Sequence, residues 1–109
     1  MAYDESLADR IRQLFTNSEY TDEKKMFGGL AFMLNGHMCC GVIKDKLMAR
    51  VGLDQYESSL QKSHTHKMDF TGKPLKGFIY IDPEGVESEK ELEVWVNICK
   101  DFVFSLPPK

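Results

Sequence analysis

Three groups of residues in this 109-residue chain could do chemistry: His37 with Cys39 and Cys40, the His64 and His66 pair, and the carboxylates Asp69 and Asp82. Imidazole nitrogen and thiolate sulfur are zinc ligands, but a structural zinc site takes four such donors at regular spacing. In an extended strand His37 and Cys39 share a face while Cys40 points to the other, and no second cysteine pair completes the set. A nucleophilic thiol needs a neighbouring base and surroundings that stabilise thiolate. A histidine beside Cys39 or Cys40 in an open pocket would meet that need, and it defines an enzyme alternative: a small thiol-dependent or metal-assisted catalyst. The plainer reading is favoured. Cys39 and Cys40 serve as small apolar residues of a strand, and Cys99 packs on the apolar side of a helix.

Asp69 and Asp82 flank late strands and read as turn, cap or solvated groups. Phe27-Gly28-Gly29-Leu30 lacks the longer frame and the Lys-Ser/Thr ending of a phosphate loop, so the two glycines indicate a bend, bulge or strand start. No catalytic residue, metal ligand or cofactor is therefore assigned.

The elements that would position these groups are set by periodicity. From about Asp4 to Phe15, the residues Leu7, Ile11, Leu14 and Phe15 fall on one side of a helix that Asp4 caps, with an exit at Thr16-Asn17-Ser18. From Lys24 the period shortens. An apolar strand reaches Leu34, Asn35-Gly36 supplies a type I′ turn, and His37–Ile43 returns. The short polar connection Lys44-Asp45-Lys46 leads to Leu47–Val51, which completes a three-stranded meander. Asp54 stands three residues before Glu57, a capping-box spacing for a short surface helix with Tyr56 and Leu60 inward. A loop through residues 63–67 leads to a brief extended segment, Met68-Asp69-Phe70. Phe78–Ile81 reads as a central or near-central strand, closed by Asp82-Pro83-Glu84-Gly85. Ser88 with Glu91 opens the last helix, which turns Leu92, Trp95, Val96, Cys99, Phe102 and Val103 to one side. The expected fold is α+β: one domain over residues 1–109, with an antiparallel sheet of about five strands, a helix at each end of the chain and a short helix inserted.

Fourteen Lys and Arg against seventeen Asp and Glu give a formal charge of −3, so the bulk field that favours indiscriminate nucleic-acid binding is absent. The distribution is uneven: residues 26–80 hold seven basic and four acidic side chains, residues 81–109 three and seven. The first fifteen residues mix acids and arginines into the apolar pattern, unlike a secretory leader, and no window has the apolar length of a membrane span. Three cysteines make no disulfide framework. A cytoplasmic protein that does not engage membranes is expected.

Taken together, Lys25-Met26-Phe27-Gly28-Gly29-Leu30-Ala31-Phe32, Asn35-Gly36, Met38-Cys39-Cys40-Gly41, Met68-Asp69-Phe70, Pro74-Leu75-Lys76-Gly77 and Leu106-Pro107-Pro108 make the chain resemble the N-terminal domain of the TfoX/Sxy family. The resemblance runs from about residue 3 to residue 108 and covers that domain alone. It implies a compact α+β domain with terminal helices and a regulatory role: longer relatives govern natural competence and are thought to assist transcription with the cyclic-AMP receptor protein. It implies no catalytic residue. The expected function is a non-enzymatic regulatory or protein-interaction module that contacts a protein partner, or a second copy through an open sheet edge. Nucleic-acid binding through residues 26–80 is a further alternative. Candidate contact residues are Asn35, Gly36, Arg50, Met68, Asp69, Phe70, Lys73 and Lys76, because they are expected to combine exposure with a few large or charged side chains.

Overall fold

The computed structural model describes residues 3–15, 21–26, 28–69 and 74–107. Helix α1 spans Glu5–Leu14; the Asp4 carboxylate caps it by accepting from the backbone N–H groups of Ser6 at 2.9 Å and Leu7 at 3.2 Å. Strands β1 (Thr21–Met26), β2 (Gly29–Leu34), β3 (His37–Ile43) and β4 (Lys46–Arg50) follow as an antiparallel meander. Helix α2 (Leu53–Leu60), β5 (Thr65–Asp69), β6 (Pro74–Ile81), a 3-10 turn at Pro83–Val86 and α3 (Glu89–Phe104) complete the order. The expected α+β architecture is present.

The sheet holds six strands in the order β1-β2-β3-β4-β6-β5. It gains a strand over the expected count because Gly28, at φ 75°, breaks the Lys24–Leu34 run into β1 and β2. The Asn35-Gly36 turn takes the two positive φ values, 54° and 84°, that a type I′ hairpin requires. Since β4 and β5 both pair antiparallel with β6, they run parallel to each other, and the β4–α2–β5 segment is a crossover that carries α2 over β6. Thr65 to Lys67 belong to β5 rather than to a loop: the bonds to β6 begin at Thr65, opposite Ile81.

One correction concerns the start of α2. The helix begins at Leu53 with Gly52 in the capping position at φ 84°, and Asp54 lies inside its first turn rather than capping it. Gly52 is needed because the N–H groups of Val51 and Gly52 both donate to the Gly77 carbonyl, at 2.8 and 3.1 Å, while a Cβ on Gly52 would overlap the Phe102 ring. The last helix meets expectation: Ser88 and Glu91 form a reciprocal capping box, and Leu92, Trp95, Val96, Cys99 and Val103 are buried.

The helices meet the sheet over one large core containing Leu7 and Ile11 of α1, Tyr56 of α2, the buried face of α3, and Phe32, Leu34, Val42, Leu47, Ile79 and Ile81 of the strands. Polar clamps fix the helices to each other. Arg10 donates to Glu89 at 2.6 Å and to the Val86 carbonyl at 2.6 Å, and Lys100 Nζ donates to the Leu14 carbonyl at 2.5 Å. Arg12 joins α1 to β1 through a bidentate pair with Glu23, at 2.6 and 2.8 Å. The accessible surface, 6325 Å², is close to the roughly 6,200 Å² that size scaling gives a folded chain of 12.5 kDa. Among the described residues no helix is long and apolar enough to cross a membrane.

The two positive-φ glycines make a matched test. Gly28 has open space around its missing Cβ, whereas Gly52 faces Phe102. We expect Gly28→Ala to cost about 1 kcal/mol from backbone strain alone, and Gly52→Ala to cost about 2 kcal/mol more because the ring must also move. Urea unfolding of both variants checks this, and equal losses would refute the packing argument. The Arg12 guanidinium holds the Glu23 carboxyl below its ordinary value, chiefly through the hydrogen bonds between them. A lowered folded-state value stabilises above the unfolded value of about 4.3 and is lost as pH falls. Glu23→Gln should therefore shrink the fall in unfolding free energy between pH 7 and about pH 3.5, by under about 1 kcal/mol because the pair is partly exposed. An unchanged fall would assign the acid sensitivity elsewhere.

Candidate functional site

Cross-strand register assigns each strand residue to one side of the sheet. Leu30, Phe32 and Leu34 turn toward the helices, and Ala31 and Met33 turn away. The helix-free side carries a second cluster: Ala31, Met48 and Met68 are buried, with half-buried Met33, Met38, Phe78 and Tyr80 packed around them. Every member is a strand residue, so among the described residues no helix covers this face.

The cysteines lie on the opposite side. Phe32 pairs with Cys40 but Met33 pairs with Met38, so Cys39 is an extra residue in a β-bulge. The expectation that Cys39 and Cys40 face opposite ways fails for that reason: the bulge brings both into the helix-side core, where Cys99 of α3 joins them, all three at 0% exposure. A hydrogen bond with Cys39, together with burial, pushes the Cys40 thiol well above its ordinary pKa; burial does the same to Cys99. Such thiols are poor nucleophiles.

The histidines are engaged elsewhere. His37 donates from Nε2 to the Pro107 carbonyl at 2.6 Å, which ties the start of β3 to the segment after α3. His66 donates from Nε2 to Asp82 at 2.6 Å, and His64 is exposed at φ 67° just before β5. The solvent-open thiol and histidine pair that the enzyme alternative requires is not formed, because the thiols are sealed from water. Among the described residues no three or more His, Cys, Asp or Glu side chains are placed to hold a metal ion. A shallow hollow of about 300 Å³ lies beside Trp95, whose ring is covered by Lys62 Nζ at 4.8 Å from its centroid.

Those of the candidate contact residues that the structure describes fall along one end of the sheet. The β2–β3 turn at Asn35-Gly36, the end of β4 at Arg50, the start of β6 and the end of β5 lie side by side there, as the antiparallel order requires. Asn35 and Gly36 are half-buried and Lys76 is exposed. Two assignments need correction. Met68 is a fully buried member of the helix-free face rather than an exposed residue. Arg50 is half-buried, with its guanidinium 5.5 Å from the Phe78 ring centroid and 5.2 Å from that of Phe102, and it donates to the Met38 carbonyl at 3.2 Å. It joins the end of the sheet to α3. Asp69 ends β5, while Phe70 and Lys73 lie outside the described residues. The residues that sequence reasoning missed are Met33, Met38, Met48 and Tyr80. Their alternation with Leu34, Leu47 and Ile79 was the available signal, hidden in β2, β3 and β6 by apolar residues on both sides and in β4 by Lys46 and Arg50, which flank Met48 on its own side.

A family model described as the TfoX N-terminal domain matches residues 13–102. No curated protein and no solved structure matches the chain.

Burial of the thiols has a direct readout. At about pH 8 an aromatic disulfide reagent should label none of the three cysteines in the native protein within minutes and all three in urea, because native exposure and thiolate fraction are both low. Rapid native labelling of Cys39 or Cys40 would reopen thiol chemistry.

Proposed function

The chain belongs to the TfoX N-terminal domain family, and on that premise we propose that it acts as a non-enzymatic regulatory or protein-interaction module of the cytoplasm, connected with transcriptional or competence regulation. The family match carries the reading. The disposition of the side chains supports it: the potentially reactive thiols are packed as apolar core, and His37 and His66 hold structural partners, which favours a function borne by a surface over one borne by a reacting group. Any direct contact with nucleic acid would be local and sensitive to salt, given the overall charge of −3.

The test is affinity capture of the tagged chain from its native cytoplasm, in parallel with Lys76→Ala, an exposed position at the end of the sheet that should leave stability unchanged. One protein should be recovered reproducibly with the native chain and in reduced amount with the variant. Repeated captures that return no common protein would overturn the interaction reading, and undiminished recovery with Lys76→Ala would move the contact away from that end of the sheet.

A further inference from the structure

We propose that the chain dimerises edge to edge: β1 pairs antiparallel with β1 of a second copy, centred on Glu23, and the two six-stranded sheets become one. The strand order leaves β1 and β5 at the edges, and among the described residues no strand lies beyond β1. Only two positions separate Met26 from Gly29, its partner in β2, so these two exchange both of their backbone bonds. By alternation Asp22 and Lys24 also bond inward, while Thr21, Glu23 and Lys25 turn their N–H and C=O groups outward. The Glu23 N–H bears this out: it donates to the carboxylate of its own neighbour Asp22, at 2.8 Å. Such an outward row is a template for another strand.

Symmetry and charge select the occupant. Two identical edges pair antiparallel only about a two-fold axis perpendicular to the sheet, which keeps the helices of both copies on one side. Residues that oppose each other then come from the same side of β1, so the axis passes through a residue. Placed on Glu23, it sets Thr21 opposite Lys25 of the second copy and Glu23 opposite its equivalent, and every outward group of β1 is bonded. Placed on Lys24, it leaves Thr21 opposite position 27, beyond the end of β1. The side chains suit the first register. Asp22 and Lys24 share the helix-free side, opposite Met33 and Ala31, and the axis sets each Asp22 against Lys24 of the other copy. Asp22 thus exchanges its contact with the Glu23 amide for an ion pair, and Lys24, exposed and without an ion pair among the described residues, gains one. On the helix side the two Glu23 carboxylates meet, but each is held by its own Arg12 at 2.6 and 2.8 Å, with Lys25 two residues along on the same side.

The other edge is less suited. The pairing of β5 with β6 shifts register between Lys67 and Asp69, which interrupts the row of outward groups. Pairing β1 with β5 of the next copy would be head to tail, a contact that does not close at two copies. At the β1 edge, α1 packs chiefly on β3 and α3, two strands inside. A strand of six residues buries much less than the roughly 800 Å² per partner of a standard interface. The dimer is accordingly weak, with a dissociation constant on the order of 100 μM.

Sedimentation equilibrium of the full chain from about 10 μM to about 1 mM should show monomer passing to dimer and nothing larger. Over the same range, amide exchange at Glu23 and Lys25 should slow with concentration while exchange in β5 stays fixed. Asp22→Lys alone and Lys24→Asp alone each place two like-charge pairs across the axis, and each should weaken the dimer at least tenfold. Both side chains are exposed, so the urea midpoint of the monomer should stay in place. Mixed in equal amounts, the two variants regain opposite charges at both pairs and should associate about as tightly as the native chain. A chain still monomeric at about 1 mM, slowed exchange confined to β5 or to the helices, assembly beyond the dimer, or a mixture no tighter than either variant alone would each overturn the proposal. The pairing stands apart from the regulatory reading: a cytoplasmic capture that returns no common protein would leave it in place, and a monomeric chain that captures one would remove the dimer alone.

Discussion

A six-stranded sheet has two faces to withdraw from water, and this chain places its helices on one of them. Much else follows from that asymmetry. On the helix side, Phe32, Leu34, Val42, Leu47, Ile79 and Ile81 are enclosed by α1, α2 and α3, so even the bulged Cys39 finds an apolar environment instead of water. On the other side the strands must cover themselves. Long half-buried side chains lean over Ala31, Met48 and Met68 and bury them without a second layer. Methionine suits that task because it reaches far and bends easily.

The helix layer is held in register by contacts between elements far apart in the sequence. Arg10 bridges α1 to the start of α3, Lys100 returns from α3 to the last turn of α1, and His37 holds the residues after α3 against β3. At the end of the sheet where β3 begins and β4 finishes, Gly52, Gly77, Arg50 and Phe102 form a junction: two amides converge on one carbonyl, the chain turns at a positive φ, and a phenyl ring occupies the space left by the missing side chain. The crossover through α2 begins at that junction, so the placement of β5 beyond β6 depends on it.

The sequence was legible where one short-range rule dominates. Asp4, Asn35-Gly36 and the Ser88 and Glu91 box each act within four residues, and each does in the structure what its local chemistry dictates. The bulge at Cys39 and the cap at Gly52 were not legible, because their causes are partners distant in sequence: the register of β2 in the first case, Gly77 and Phe102 in the second. For the candidate surface, Arg50 and Lys76 were recognisable as charged residues near a sheet end, but Arg50 could not be known to lie between two rings. The methionine face escaped for a related reason. Alternation reveals a face only when its two sides differ in polarity, and β2 and β3 are apolar on both.

The strand order also bears on how the chain is synthesised and folded. Strands β1 to β4 are neighbours in sequence and can pair as they emerge, yet β4 must wait for β6, since Leu47 pairs with Ile81 and Arg50 with Phe78 across the whole of α2 and β5. Until then β4 is a temporary sheet edge, and its Leu47, Met48 and Ala49, all fully buried in the finished protein, offer unpaired backbone and apolar side chains to any neighbouring chain. Lys46 and Arg50 bracket those three residues with positive charge. In the nascent chain they serve as gatekeepers against misassembly, an office that ends once β6 is in place.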